Sequence, residues 1–399
     1  MVRSSKHSLK FSNEEKLKSL SDLREVIKNS VSSYISLIKS KKLPFNKLLT
    51  SKVLPEVNGI KHSQWKQVIY KEASQIVRSN IQYQKKKVFN RYKKIYAKCM
   101  KENKHSKFTS KKFSELNINY LKRIKIDLKK ISINIDQRLF DTEIKKEGEF
   151  DEFVMLRLPW FEEKRKLAQT IKLPIKYHKH SLKFSDWKKH NTIKLTWKND
   201  IPYICFSYEK DEKEKPSYPK KEIGIDIGYK KLITDSNGRT YGKELYDVYD
   251  KISKKKKGSK KYKRSLTHRT NLTNKIGNDF YQQNTFDLLV MEDLKAVKHK
   301  SKLSRKTNNK LQYWSYRTLI DKLERLSEEK GFHIQKVNPA YTSQQCSKCG
   351  LIDKSNRTGE SYQCSCGMEM DADINAAKNI LQRGDYNPSS FETNLLTSL

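Results

Sequence analysis

Residues 222–238 read EIGIDIGYKKLITDSNG, and the fold of the C-terminal half follows from them. Residues 222–227 form a short apolar run with the alternation of a strand. Ile223, Ile225 and Ile227 face one side; Gly224, Asp226 and Gly228 face the other. An aspartate inside such a strand, flanked by glycines, predicts a carboxylate with room beside it for a substrate backbone. Residues 231–235 predict a second strand, and Asn237-Gly238 is the dipeptide of a tight hairpin. Working outward, a basic helix is expected over roughly 243–283, an apolar strand at 286–292 (FDLLVME), and an amphipathic helix at Leu311–Lys330. In that helix Leu319, Leu323 and Leu326 share a face, with Gly331 as its stop. A last strand at 332–337 and a closing helix at Ala376–Leu381 complete a mixed sheet covered by helices.

Two acids on strands, and one of a pair at a helix start, have the placement of metal ligands in this region. Asp226 lies within the first strand, and Glu292 ends the second apolar strand. Asp371 and Asp373 lie in DADINAAKNIL, just ahead of a helix, where either could serve as an N-cap. Carboxylates drawn together repel unless a divalent cation sits between them, and two Mg²⁺ held this way can activate water against a phosphodiester. Four of the six cysteines fall within 346–366, as Cys346-x-x-Cys349 and Cys364-x-Cys366, with fourteen residues between the pairs. That pattern predicts one closed, structural Zn²⁺ site, although its second pair is one residue shorter than the usual spacing. Cys99 and Cys205 fall in helical and strand patterns and read as small buried hydrophobes.

The 399-residue chain carries 85 Lys+Arg against 45 Asp+Glu, a formal charge of +40. Such an excess calls for a polyanion, and nucleic acid gains from counterion release at each neutralised phosphate. The charge is also clustered: residues 251–270 hold ten Lys/Arg and residues 295–310 hold seven, with no acid in either run. The N-terminus lacks the apolar run of a signal peptide, and no stretch reaches the length of a membrane span. A cytoplasmic location, associated with the nucleoid of a prokaryotic host, is expected. Upstream, Ser12 and Glu15 have capping-box spacing. Leu20, Leu23, Ile27, Val31, Tyr34 and Ile38, and then Trp65, Ile69, Ala73, Ile76 and Tyr83, recur at helical intervals. Near 120 the period changes to that of strands (Ile124, Ile126, Leu128, Ile131, Ile133, Ile135), and a helical insert is expected around 161–170. Segment 211–221, DEKEKPSYPKK, reads as a linker.

Taken together, GIDIGYKKLITDSNG, LLVMEDL, NPAYTSQQCSKCG and CGMEMDADINAAKNIL resemble the TnpB family of transposon-encoded RNA-guided nucleases, and equally the compact type V CRISPR effectors. The match is specific over about 222–383. It extends more weakly to MLRLPWFEEKRKL and KLPIKYHKH, which look like that family's β-barrel wedge domain. The resemblance implies an α+β multidomain chain: a helical recognition domain at 1–114, a β-rich wedge at 115–215 that the first eleven or so residues could join, and an RNase H-like (RuvC) core at 216–340. A zinc ribbon at 341–370, the second part of the core at 371–385 and a flexible tail at 386–399 complete it. By motif, Asp226, Glu292 and Asp373 match the three catalytic, Mg²⁺-binding acids. Asp371 becomes their neighbour, and Arg357 matches an arginine that in relatives reaches the active site. The implied activity is Mg²⁺-dependent, RNA-guided cutting of DNA beside a short duplex motif, with guide RNA and double-stranded target DNA as partners. The chain would act as a monomer or a homodimer. No second nuclease motif is visible, so one site is expected to cut both strands. A guided repressor that does not cut and an unguided RuvC-type nuclease are the alternative readings. The intact acids count against the first, and the roughly 220 residues ahead of the core count against the second.

Overall fold

The computed structural model describes residues 1–101, 131–145, 147–161, 168–294 and 311–384. The basic run 295–310, the tail after 384, Ile124, Ile126 and Leu128, and the side chain of Cys99 lie outside the described residues. The chain divides into two compact units, Met1–Lys210 and Asp211–Leu399.

The first unit joins two helices to two sheets. Helix α1 (Glu14–Lys39) buries Leu20, Leu23, Ile27, Val31, Tyr34 and Ile38, as their spacing requires. Its cap is Asn13, whose side chain accepts from the Lys16 amide, and not Ser12. Ser12 lies buried one residue too early to reach the first turn. Helix α2 (Ser63–Lys101) buries Trp65, Ile69 and Ala73, but Tyr83 is 63% exposed, so the apolar stripe ends before it. Strand β1 (Val2–Ser8) pairs antiparallel with β7 (Ile201–Glu209), which pairs with β6 (Lys188–Lys198), which pairs with β2 (Ser132–Asp136). Strands β3 (Phe140–Ile144), β4 (Glu152–Phe161) and β5 (Ala168–Ile175) form a separate three-stranded sheet. Among the described residues, therefore, the expected wedge barrel is two open sheets and no closed barrel. Phe161 and Ala168–Thr170 are strand residues, so the helical insert expected over 161–170 is corrected at both its ends; residues 162–167 lie outside the described residues. Those ends pair across β4 and β5, an interaction a helix could not make.

The second unit is built on a five-stranded mixed sheet. Strand β8 (Glu222–Asp226) lies at its centre. On one side it pairs antiparallel with β9 (Ile233–Asp235), which forms a hairpin with β10 (Thr240–Tyr241) through Gly238 at φ +89°. On the other side it pairs parallel with β11 (Leu288–Glu292), and β11 with β12 (His333–Val337). This is the mixed sheet expected of an RNase H-like core. The basic helix is two helices, α3 (Leu245–Ser253) and α4 (Lys260–Gln283). Gly258 breaks it, with φ +86°, after four successive lysines, and Ser259 then caps α4 by accepting from the Tyr262 amide. Helix α5 (Tyr316–Lys330) starts later than its periodicity implied and ends at Gly331 in the left-handed conformation.

The two sheet faces have different partners. Ile223, Ile225, Leu289 and Met291 pack with Ile276 and Phe280 of α4 and Leu319, Leu323 and Leu326 of α5. Leu288, Val290 and Val337 pack with Ile380 of α6 (Ala372–Gln382). Each such side chain, removed from water, contributes about 1.5–3 kcal/mol, so the β8–β11 pair is held from both sides. Segment 211–221 is not a free tether. Its Lys213 amide donates to the Glu328 carbonyl, and the Lys220 and Lys221 amides both donate to the Asp287 carboxylate.

Candidate functional site

Strand parity places two of the acids. Asp226 shares its side of β8 with Gly224, and Glu292 shares its side of β11 with Leu288 and Val290. Both therefore end their strands on the face covered by α6. Register puts them side by side, since Met291 pairs with Ile225 in the residue step just before each acid. The third comes from α6. Asp371 caps this helix, its Oδ1 accepting from the amides of Asp373 (2.9 Å) and Ile374 (3.3 Å). Asp373, in the first turn, leaves its carboxylate for side-chain partners. By placement alone either aspartate could have been the cap, and only the motif resemblance distinguished them; in the structure the cap is Asp371.

The flanking glycines serve a different purpose from the one expected. A Cβ on Gly224 would lie 2.4 Å from the Ala377 carbonyl oxygen and 2.7 Å from Leu381 Cβ. Its missing side chain lets α6 lie against the strand, bringing Asp373 to Asp226. A Cβ on Gly228 would meet the Lys231 carbonyl at 2.6 Å. Both spaces are filled by the protein itself, not kept for substrate.

The electrostatics are uneven. Burial, then repulsion from Glu292 and Asp373, pushes the Asp226 carboxyl up to about 8, with Arg357 opposing. Burial also raises Glu292, against a hydrogen bond from the Thr342 hydroxyl and the charge of Arg383. Asp373 instead has two cations: Arg357 Nη2 lies 3.2 Å from its Oδ1, and Lys231 Nζ lies 3.4 Å from its Oδ2. Lys231 also binds Asp371 Oδ2 at 2.6 Å. Asp226 thus has two further carboxylates near enough to raise its proton affinity, and such hard oxygen donors are of the type that suits Mg²⁺. Their oxygens do not close up as ligand atoms would. Among the described residues, the cysteines alone form a group whose ligand atoms all lie within 4.8 Å of one another.

Asp226 leads to a prediction about pH. An unfolded aspartate loses its proton near ~3.9, whereas the folded one keeps it until about 8. Between those values the folded chain binds more protons, so stability falls as pH rises. In magnesium-free buffer, melting temperature should decline more steeply from about pH 5 to about pH 8 in the wild type than in Asp226→Asn. Parallel slopes in the two proteins would show that Asp226 ionises normally.

The four cysteines converge. Cys346 and Cys366 sulfurs are 3.7 Å apart, and Cys349 and Cys364 sulfurs 3.6 Å. Four thiolates about 2.3 Å from a zinc would have tetrahedral edges of about 3.8 Å, so the set fits that ion. The short second pair is accommodated by a tighter turn. Gly350 N donates to the Cys346 carbonyl four residues back, and Gly367 N to the Cys364 carbonyl three back, each glycine left-handed. Burial works against ionisation of Cys346, but the amides of Cys349 and Lys348 prevail and bring its thiol down to about 7.

Strands β13 (Arg357–Thr358), β14 (Ser361–Gln363) and β15 (Glu369–Asp371) form the ribbon's sheet, and β15 runs straight into α6. Two residues missed in the sequence lock this junction. Buried Asn375 accepts from the Ser347 amide and donates to the Gln345 carbonyl; buried Asn379 donates to the carbonyls of Thr342 and Gln345. An asparagine on the apolar side of a helix, repeated four residues on, is the signal that could have found them. Thr342 and Lys231 carried no such signal, because their partners are distant in sequence.

The Cas12f1-like TNB domain family matches residues 316–380, which span α5, β12, the ribbon and most of α6. Over these residues the chain is similar to the TNB domain of Cas12f1-like proteins. Among TnpB-like and Cas12f1-like relatives, the CRISPR-associated endodeoxyribonuclease Cas12f1 of Sulfoacidibacillus thermotolerans is 49% identical over 72 residues, 18% of this chain and 17% of that protein. The TnpB-like protein aq_aa05 of Aquifex aeolicus is 34% identical over 96 residues, 23% of this chain and 31% of its own. The TnpB-like protein L79 of Acanthamoeba polyphaga mimivirus is 30% identical over 227 residues, 48% of this chain and 43% of its own. The matches thus cover less than half of each of these relatives. Among solved structures, the mini-RNA-guided endonuclease CRISPR-Cas_phi3 aligns with a TM-score of 0.53 at 13% identity, covering 96% of this chain and 92% of that one. CasPhi-2 (Cas12j) bound to crRNA and phosphorothioate-DNA aligns at 0.52 and 12% identity, covering 96% and 91%. At such identities the likeness speaks for the fold.

Proposed function

We propose that the chain is an RNA-guided DNA endonuclease that cuts both strands of guide-matched DNA next to a short duplex motif, using one site formed by Asp226, Glu292 and Asp373. The reading is supported by the placement of the three acids at the ends of β8 and β11 and in the first turn of α6, with Glu292 and Asp373 both near enough to raise the Asp226 carboxyl, although 66 and then 81 positions separate them in the chain. The names of the relatives agree with it: an endodeoxyribonuclease, and fold neighbours bound to or guided by RNA.

Asp226, Glu292 and Asp373 would hold two Mg²⁺, which when bound supply an activated water and charge stabilisation at the leaving oxygen. Thr342 keeps the Glu292 carboxylate from turning away, and Asp371 fixes the helix start that presents Asp373. Arg357, from the ribbon, brings a guanidinium within reach of Asp373 and of the charge that Asp226 would carry. The Cys₄ set would hold one Zn²⁺ that keeps β13 and β15, and with them Arg357 and the α6 cap, in place. No described helix is long and apolar enough to cross a membrane.

Cutting of guide-matched DNA by RNA-loaded protein, dependent on added Mg²⁺, tests the reading. Binding of matched DNA without cleavage would instead make the chain a guided repressor. Residues 254–257 are four lysines at the break between α3 and α4, in the basic run that the structure describes. Replacing Lys255, Lys256 and Lys257 by Ala should weaken nucleic-acid binding irrespective of sequence and lower the salt slope by roughly one to three. An unchanged slope would return these lysines to the role of solvated surface.

A further inference from the structure

Tyr341 is an aromatic residue held where its backbone favours glycine. It lies between β12 and the first cysteine pair with φ +66°. The other described non-glycine residues with positive φ are Lys41, Asn58, Asn199 and Asp200. Three of those four are Asn or Asp, whose short polar side chains tolerate this conformation, whereas a bulky ring does not. The turn is fixed nonetheless: the amides of Gln344 and Gln345 both donate to the Tyr341 carbonyl, at 3.0 and 2.9 Å. The next residue, Thr342, is buried, and its hydroxyl donates to Glu292. A rigid hydrogen-bonded link therefore ties the Tyr341 backbone to the candidate site.

Packing does not account for the ring. Tyr341 is 57% exposed, and its side chain makes no hydrogen bond and no ring contact with any described residue. A flat apolar face is thus kept in water, at a strained position, one residue from the group that holds Glu292. Stored backbone strain of this kind collects where function requires a particular side chain. The chemistry that uses an exposed aromatic face on a fixed backbone beside the proposed phosphodiester site is stacking of a nucleobase, which is tolerant of sequence because every base has a π-face.

We infer that Tyr341 is a stacking platform for a base of the single DNA strand being cut, setting the register of that strand over Asp226, Glu292 and Asp373. The inference rests on the nuclease reading above. The full-length chain is mixed with a single-stranded oligodeoxynucleotide containing 5-iododeoxyuridine, in Ca²⁺ instead of Mg²⁺. Salt is high enough to suppress general phosphate binding. Irradiation should cross-link the base to Tyr341. Tyr341→Gly relieves the backbone and should melt at the same temperature as the wild type or higher, yet bind the oligonucleotide about five- to a hundredfold more weakly. Tyr341→Phe should bind as the wild type does. A Gly variant that binds as tightly as the wild type would overturn the inference, as would one that melts lower, which would assign the ring to holding the turn. Cleavage of guide-matched DNA by the RNA-loaded wild type in Mg²⁺ is the separate control: a wild type that does not cut defeats the nuclease reading, whatever Tyr341 does.

Discussion

Asp226→Ala abolishes cutting of both DNA strands and leaves guided DNA binding nearly intact: this is the largest effect expected of any single substitution. The reason is geometric. Asp226 is the central acid, on the central strand, with Glu292 one strand away and Asp373 at the start of the helix packed against Gly224. It is also the acid whose charge the protein compensates least, since Lys231 and Arg357 both contact Asp373. Removing it takes away a proposed cation ligand without exposing a buried partner, so folding should survive. A loss of about a thousandfold or more, equivalent to ~4 kcal/mol or more in the barrier, is expected in cleavage by RNA-loaded protein with Mg²⁺. Binding of matched DNA, measured in parallel, should change by less than about twofold, because the proposed role of Asp226 is to hold a catalytic cation and not the guide–target duplex. Because one site is proposed for both strands, both products should vanish together. A variant that nicked one strand at close to the wild-type rate would falsify the single-site mechanism.

The second large effect is expected from the cysteines. Metal analysis of the purified chain should find about one zinc, and Cys349→Ser should release it. Cys349 is the exposed member of the set, so its replacement causes little packing damage of its own, and any unfolding in this variant reports the loss of metal. The ribbon's own apolar core is small: Tyr362 and Met368 with Cys346, Cys364 and Ala372. Zinc binding is worth on the order of 10 kcal/mol in comparable structural sites, more than such a cluster can replace. Loss of zinc should therefore unfold residues 346–371, free Arg357, and loosen the Asn375 and Asn379 contacts that hold the first knuckle to α6. Cutting should fall by roughly tenfold or more, through positioning rather than chemistry, and limited proteolysis should nick the ribbon first. A zinc-free protein with a protease-resistant C-terminal region and full activity would show that the thiols are not a metal site.

The parts legible in the sequence were those carried by local period and local motif. The alternation of 222–227 fixed Asp226 on the side opposite the isoleucines, the apolar run at 288–292 fixed the neighbouring strand, and the cysteine spacing fixed a four-thiol cluster. A strand's side-chain period is two, and a knuckle closes within a few residues, so neither needs distant partners to be specified. Tertiary structure decided the rest. Either Asp371 or Asp373 could cap the helix by placement, and the α6 start shows that Asp371 does, while Asp373 acts on Asp226. Gly224 and Gly228 looked like space for a substrate, but that space is taken by α6 and by the Lys231 backbone. The ends of the helix expected across 161–170 gave way to cross-strand pairing, and the continuous basic helix was broken by one left-handed glycine. The roles of Lys231, Thr342, Asn375 and Asn379 depend on contacts between residues 28 to 142 positions apart. Such contacts form only once the sheet, α6 and the ribbon have packed. Their partners are chosen by that packing and not by any periodicity in the chain.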